Sequence, residues 1–66
     1  MTLYKSIEIV ATSEKSWSDA VKLGYDEAKK TVRHNRNIDV IRSDVKVKED
    51  SETLIFRVRM QLTFEV

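Results

Sequence analysis

The chain has 66 residues, with 12 basic and 11 acidic side chains for a net charge of +1, and no cysteine. That balance argues against a general polyanion binder, which needs a strong basic excess. Without cysteine, and with His34 as the single histidine, disulfides, thiolate zinc sites and histidine-rich metal sites within one chain are excluded.

Residues Leu3 to Val10 alternate, with Leu3, Ile7 and Ile9 on one face and Tyr4, Ser6, Glu8 and Val10 on the other. This predicts a first strand, followed by a polar connection from Ala11 to Lys15. Ser16 and Asp19 have the spacing of a capping box, with Asp in place of the usual Glu or Gln. A helix is expected from Trp17 to His34, its apolar stripe formed by Trp17, Ala20, Val21, Gly24, Ala28 and Val32. Asp26 and Lys30 stand at an i,i+4 spacing on its wet side. Lys29, Lys30, Arg33 and His34 crowd its last turns, where the helix dipole favours cations.

Gly24, the single glycine, sits in the stripe at a cost of about 1 kcal/mol relative to Ala. The close approach of another backbone is the simplest reason for it. Leu23 lies off the stripe and is either a contact to a neighbouring copy or an isolated surface leucine, which is common. Asn35 or Asn37 is expected to take the left-handed conformation that ends the helix.

A second strand is expected from Ile38 to Val47. Ile38 and Val40 share one parity, while Ile41, Val45 and Val47 share the other, so a bulge is predicted near Ile41 to Ser43. Lys48 to Glu52 reads as a polar hairpin tip. From Leu54 to Val66, apolar residues then occupy every second position: Leu54, Phe56, Val58, Met60, Leu62, Phe64 and Val66. Such alternation fixes the register of a long half-buried strand, because a slip of one residue would expose the whole apolar set.

The order β-α-β-β gives an α+β fold in a single domain, residues 1–66. A right-handed crossover sets the first two strands parallel with a gap between them. The third fills the gap antiparallel to both, giving a three-stranded antiparallel sheet of order 1-3-2 packed on one helix. A chain this short buries only about 60% of its unfolded surface. With disulfides and thiolate or histidine-rich metal sites within one chain excluded, oligomerisation is the remaining route to stability. Two open sheet edges point the same way.

No stretch is long and apolar enough to span a membrane. The start Met-Thr-Leu-Tyr-Lys lacks the order of a signal peptide, so a cytoplasmic protein is expected. Catalysis is not expected, since a triad would have to use His34, which is better read as a solvated partner of the helix end. Arg57 and Arg59, with Arg42, Lys46 and Lys48, form a basic stripe on the open face of the sheet. No aromatic side chain interleaves them for base stacking, and Asp44 and Glu65 interrupt the stripe, so interstrand and intersubunit ion pairs are expected and nucleic acid is not. Glu49, Asp50 and Glu52 read as a solvated turn.

The strand Tyr4 to Val10, the run Thr12-Ser13-Glu14-Lys15-Ser16-Trp17 and the terminal strand Phe56 to Val66 together resemble the dodecin family. The resemblance covers nearly the whole chain. It implies a hollow homododecamer built of trimers, binding flavins (riboflavin, FMN or FAD) between subunits as a storage protein without catalysis. Flavin-binding members carry a tryptophan after the helix that stacks on the flavin ring; that position here is Asn37. They carry a glutamine in the third strand that hydrogen-bonds the ring edge; that position is Arg57. Asp44 and Gln61 complete the candidate ligand contacts.

Asn37 offers no π-face, and Arg57 offers no acceptor for a ring N–H but can stack or bind phosphate. Flavin binding is therefore expected to be weakened or lost, with the assembly retained. Three readings follow in order. The first is a shell sequestering a flavin or related nucleotide at a degenerate site. The second is a flavin-free shell binding a metal ion such as calcium at carboxylates that converge between subunits, with Asp39, Asp44 and Glu65 as candidates. The third is a structural or interaction module.

Overall fold

The computed structural model describes residues 2–49 and 52–66. Strand β1 spans Tyr4–Ser13, helix α1 Trp17–Ala28, strand β2 Asn35–Val47 and strand β3 Leu54–Glu65. The sheet order is β1-β3-β2, with β3 antiparallel to both neighbours, as the alternation and the crossover rule predict.

The core is the middle of β3 under the helix. Val58, Met60 and Leu62 are fully buried, as is Ala20 on α1. Phe56 and Phe64 are half-buried, while Leu54 and Val66 at the two ends are exposed. The lengths explain this: a 12-residue helix covers about 18 Å, whereas a 12-residue strand runs about 40 Å. One helix covers only the centre of such a sheet.

The shape records the same mismatch. The chain extends 52 × 20 × 14 Å with a radius of gyration of 13.6 Å, against about 11 Å for a compact chain of this length. Its accessible surface is 5194 Å², against about 4300 Å² for a monomer of this mass. Leu3, Tyr4, Val10, Leu23, Val40, Ile41, Val45 and Val47 all stand exposed.

Four local features differ from the sequence-based expectations. First, β1 continues past Val10 to Ser13, because Ala11 and Ser13 keep the inward parity of Ile7 and Ile9. Ser13 is buried; its hydroxyl donates to Asp19 Oδ2 (2.6 Å) and accepts from the Lys15 amide (2.9 Å). Ser16 is the N-cap as expected, its Oγ accepting from the Asp19 amide at 2.9 Å. The Asp19 carboxylate turns to Ser13 rather than completing a capping box.

Second, the helix ends at Ala28, not His34. Thr31 N and Val32 N both donate to Ala28 O, at 3.1 and 2.9 Å, closing the end with turns. His34, with φ 59°, takes the left-handed position expected of an asparagine. Both asparagines belong to β2, and Asn35 Nδ2 ties back to Val32 O at 3.0 Å. The basic run from Lys29 to His34 therefore lies beyond the last helical turn.

Third, Asp26 pairs with Lys22 (2.7 Å) and Lys29 (3.4 Å), while Lys30 takes Glu27 (3.1 Å). Fourth, what approaches Gly24 is side chain rather than backbone. A Cβ there would lie 2.9 Å from Met60 Cε, 3.1 Å from Ala11 Cβ and 3.4 Å from Ile9 Cδ1.

The bulge falls where parity demands it, with the β2–β3 register shifting between Val40 and Arg42. In the hairpin tip, Asp50 and Ser51 lie outside the described residues. Among those described, no helix is long and apolar enough to cross a membrane.

Candidate functional site

Alternation along β3 places Arg57, Arg59, Gln61 and Thr63 on the face away from the helix, since Val58, Met60 and Leu62 face it. On β2, Ile38 pairs with Leu62 and Val40 with Met60, so both fall on the helix side. The extra residue Ile41 then reverses parity. Arg42 comes opposite Arg59 and Asp44 opposite Arg57, both on the open face.

Arg57 holds Asp44 with both arms of its guanidinium. Nε donates to Oδ1 at 2.9 Å and Nη2 to Oδ2 at 2.6 Å, the bidentate geometry that matches a carboxylate best. These hydrogen bonds hold the Asp44 carboxyl below its ordinary range, and the charges of Arg57, Arg42 and Arg59 add to the effect against partial desolvation. The backbone of the same residue is also engaged: Trp17 Nε1 donates to Asp44 O at 3.0 Å. Trp17 meets Phe56 edge to face, with centroids 5.2 Å apart at 81°. Trp17 thus sits at the end of the helix stripe, half-exposed, leaning on β2.

Two clefts result. One, of about 300 Å³, is lined by Val10, Arg42, Asp44, Arg57 and Arg59. The other, also about 300 Å³, is lined by Tyr25, Asn35, Arg36, Asn37 and Ile38. The structure brings Asp44 and Arg57 together and leaves Asn37 apart from them. Asn37 pairs with Thr63, six positions along β3 from Arg57 and so about 20 Å away. Gln61 lies between, opposite Asp39, with Nε2 donating to Ser6 Oγ at 3.1 Å. A cavity that uses both Asn37 and Arg57 has to draw them from different copies.

Tyr25 is not among the residues assigned to the stripe, although it borders it, four positions after Val21 and three before Ala28, and it is half-buried. An aromatic side chain on the border of the stripe, near the end of the helix, is the available signal. Lys22 and Lys29 place their ammonium groups 5.9 and 5.5 Å from its ring centroid. Asn35 lines the same cleft, and its Oδ1, buried beneath the surface, has no hydrogen-bond partner, a cost in stability.

Of the three carboxylates considered for a cation, Asp44 is taken by Arg57 and Glu65 by Arg36 at 3.1 Å. No group of three or more His, Cys, Asp or Glu side chains among the described residues is placed to hold a metal ion.

The family model for dodecins matches residues 3–66. The chain belongs to the dodecin family. Among solved structures, an arginine-to-alanine mutant of dodecin from Thermus thermophilus is 26% identical, with a TM-score of 0.90 over 100% of this chain and 97% of that one. A calcium dodecin from Mycobacterium tuberculosis, described as having a novel calcium-binding site, is 28% identical, with a TM-score of 0.86 over 97% of this chain and 90% of that one. Dodecin from Streptomyces davaonensis shares the fold at 20% identity, with a TM-score of 0.88 over 98% of this chain and 94% of that one. No curated protein matches the sequence. Dodecins are ligand-binding storage proteins that form homododecamers, so a shell of small α+β subunits is the family frame for both clefts.

Proposed function

We propose that this chain is a non-catalytic subunit of a cytoplasmic homododecamer, built of trimers, that sequesters a small flavin-class ligand between copies and holds it weakly. The observation that carries this reading is the cleft at Asn37, the position of the family's stacking tryptophan, walled by Tyr25 and Asn35. Tyr25 supplies an aromatic body. Asn37 removes the broad π-face that would hold a ring tightly. Arg57, at the family's glutamine position, is already committed to Asp44 and offers no acceptor.

The test is riboflavin titration followed by flavin fluorescence, comparing the parent with the double variant Asn37→Trp, Arg57→Gln. Restoring a stacking face and an amide is expected to raise affinity by at least tenfold, since stacking and a satisfied polar group each contribute about 1 kcal/mol. Unchanged affinity would overturn the site assignment. Calcium is the second ligand class, supported by the calcium dodecin among the structural relatives. It draws less from this chain, because two of its three candidate carboxylates are held by arginines.

A further inference from the structure

One row of the open face combines Val10 on β1, Arg59 on β3 and Arg42 on β2. Arg42 and Arg59 are direct cross-strand partners, with Cβ atoms about 5 Å apart, a pairing in which like charges destabilise a sheet. Nothing nearby offsets it fully. Arg42 has no ion-pair partner among the described residues, and Arg59 reaches Glu8 only at 4.0 Å. Asp44, the acidic side chain lining their cleft, has both oxygens engaged by Arg57. The juxtaposition depends on the bulge, because without Ile41 as an extra residue Arg42 would share the helix-side parity of Val40.

We propose that Arg42 and Arg59 form a binding site for a phosphate dianion in the cleft they share with Val10, with Arg57, fixed by Asp44, closing one side. Two guanidinium groups present planar forks of donors that match phosphate oxygens, and charge-assisted hydrogen bonds of this kind are the strong ones. A dianion balances both positive charges, whereas a single carboxylate leaves one uncompensated. The occupant is small: Glu8 and Asp39 stand in the adjoining row beside Gln61 and repel an extended polyanion. The site takes phosphate without a ring, so it stands apart from the flavin reading.

The experiment is calorimetric titration of the assembled protein with inorganic phosphate at low salt. Phosphate is expected to bind with a dissociation constant of about 1 mM or tighter, and to raise the melting temperature. Arg42→Ala and Arg59→Ala should each weaken it about tenfold, since a hydrogen bond to a charged group is worth that much. Arg42→Lys keeps the charge but loses the fork, and should fall between. Lys46→Ala removes the same charge from β2 two positions beyond Asp44, and should bind as the parent does.

Flavin mononucleotide against riboflavin separates the two sources of phosphate. Tighter binding of the nucleotide, abolished by Arg59→Ala, assigns the site to a phosphate ester, whereas equal binding with inorganic phosphate retained assigns it to the free anion. Absent phosphate binding, or a loss in Lys46→Ala equal to that in Arg42→Ala, overturns the proposal. Riboflavin failing to bind while phosphate binds counts against the flavin reading alone.

Discussion

Arg57 and Asp44 face each other across β3 and β2 and share two hydrogen bonds, of 2.9 and 2.6 Å. The pair joins the central strand to an edge strand just past the bulge, and Trp17 ties the backbone of the same aspartate to the start of the helix. One acidic residue thus links all three elements. Because the carboxyl is held below its ordinary range in the folded protein, its contribution is present above the unfolded value of about 3.9 and is lost as pH falls through the depressed folded value. Urea midpoints of the parent should therefore fall with acid below about pH 4 more steeply than those of Asp44→Asn. Parallel curves would contradict this. At neutral pH the difference should be small, as exposed pairs contribute little.

Gly24→Ala sets two effects against each other. The helix gains about 1 kcal/mol in propensity, while the added methyl meets Met60 Cε at 2.9 Å and Ala11 Cβ at 3.1 Å. Met60 ends in a flexible methyl, but Ala11 has no torsion with which to yield. Overpacking of this kind costs about 1–3 kcal/mol, so a net destabilisation of about 1 kcal/mol is expected from denaturant midpoints at fixed protein concentration. A variant more stable than the parent would show that the helix rides further from the sheet.

Ser13→Ala removes a buried hydroxyl that serves both Asp19 and the Lys15 amide. The expected loss is about 1–2 kcal/mol, from the turn that delivers the chain into the helix. Ser13→Thr keeps the hydroxyl and should recover part of it. Equal stability of the Ala variant would mean that water replaces both bonds.

Much of this fold is legible in the sequence, and the places where it is not have physical causes. The register of β3 follows from unbroken alternation, and the bulge at Ile41 from the change of parity between Val40 and Val45. The helix end is hidden in the sequence because Lys29, Lys30 and Arg33 favour helix and Val32 continues the stripe, while the stop is made by turns closing on Ala28 O, with His34 in a left-handed conformation only six residues later, at the entry to β2. The Asp44–Arg57 pair joins residues 13 positions apart and depends on the bulge, so no local pattern reveals it. The open-face arginines were read as a stripe of ion pairs. Within one chain that holds for Arg57, whereas the cross-strand partner of Arg42 is another arginine.

The central claim is that the sheet outruns its helix and that copies of the chain cover the remainder. Val40 and Ile41, each 54% exposed, and the excess of accessible surface are its structural basis. Native mass spectrometry of the purified protein in dilute volatile buffer tests it most directly. A single species at twelve times the chain mass is the predicted result, and a folded monomer that stays monomeric as concentration rises would contradict it.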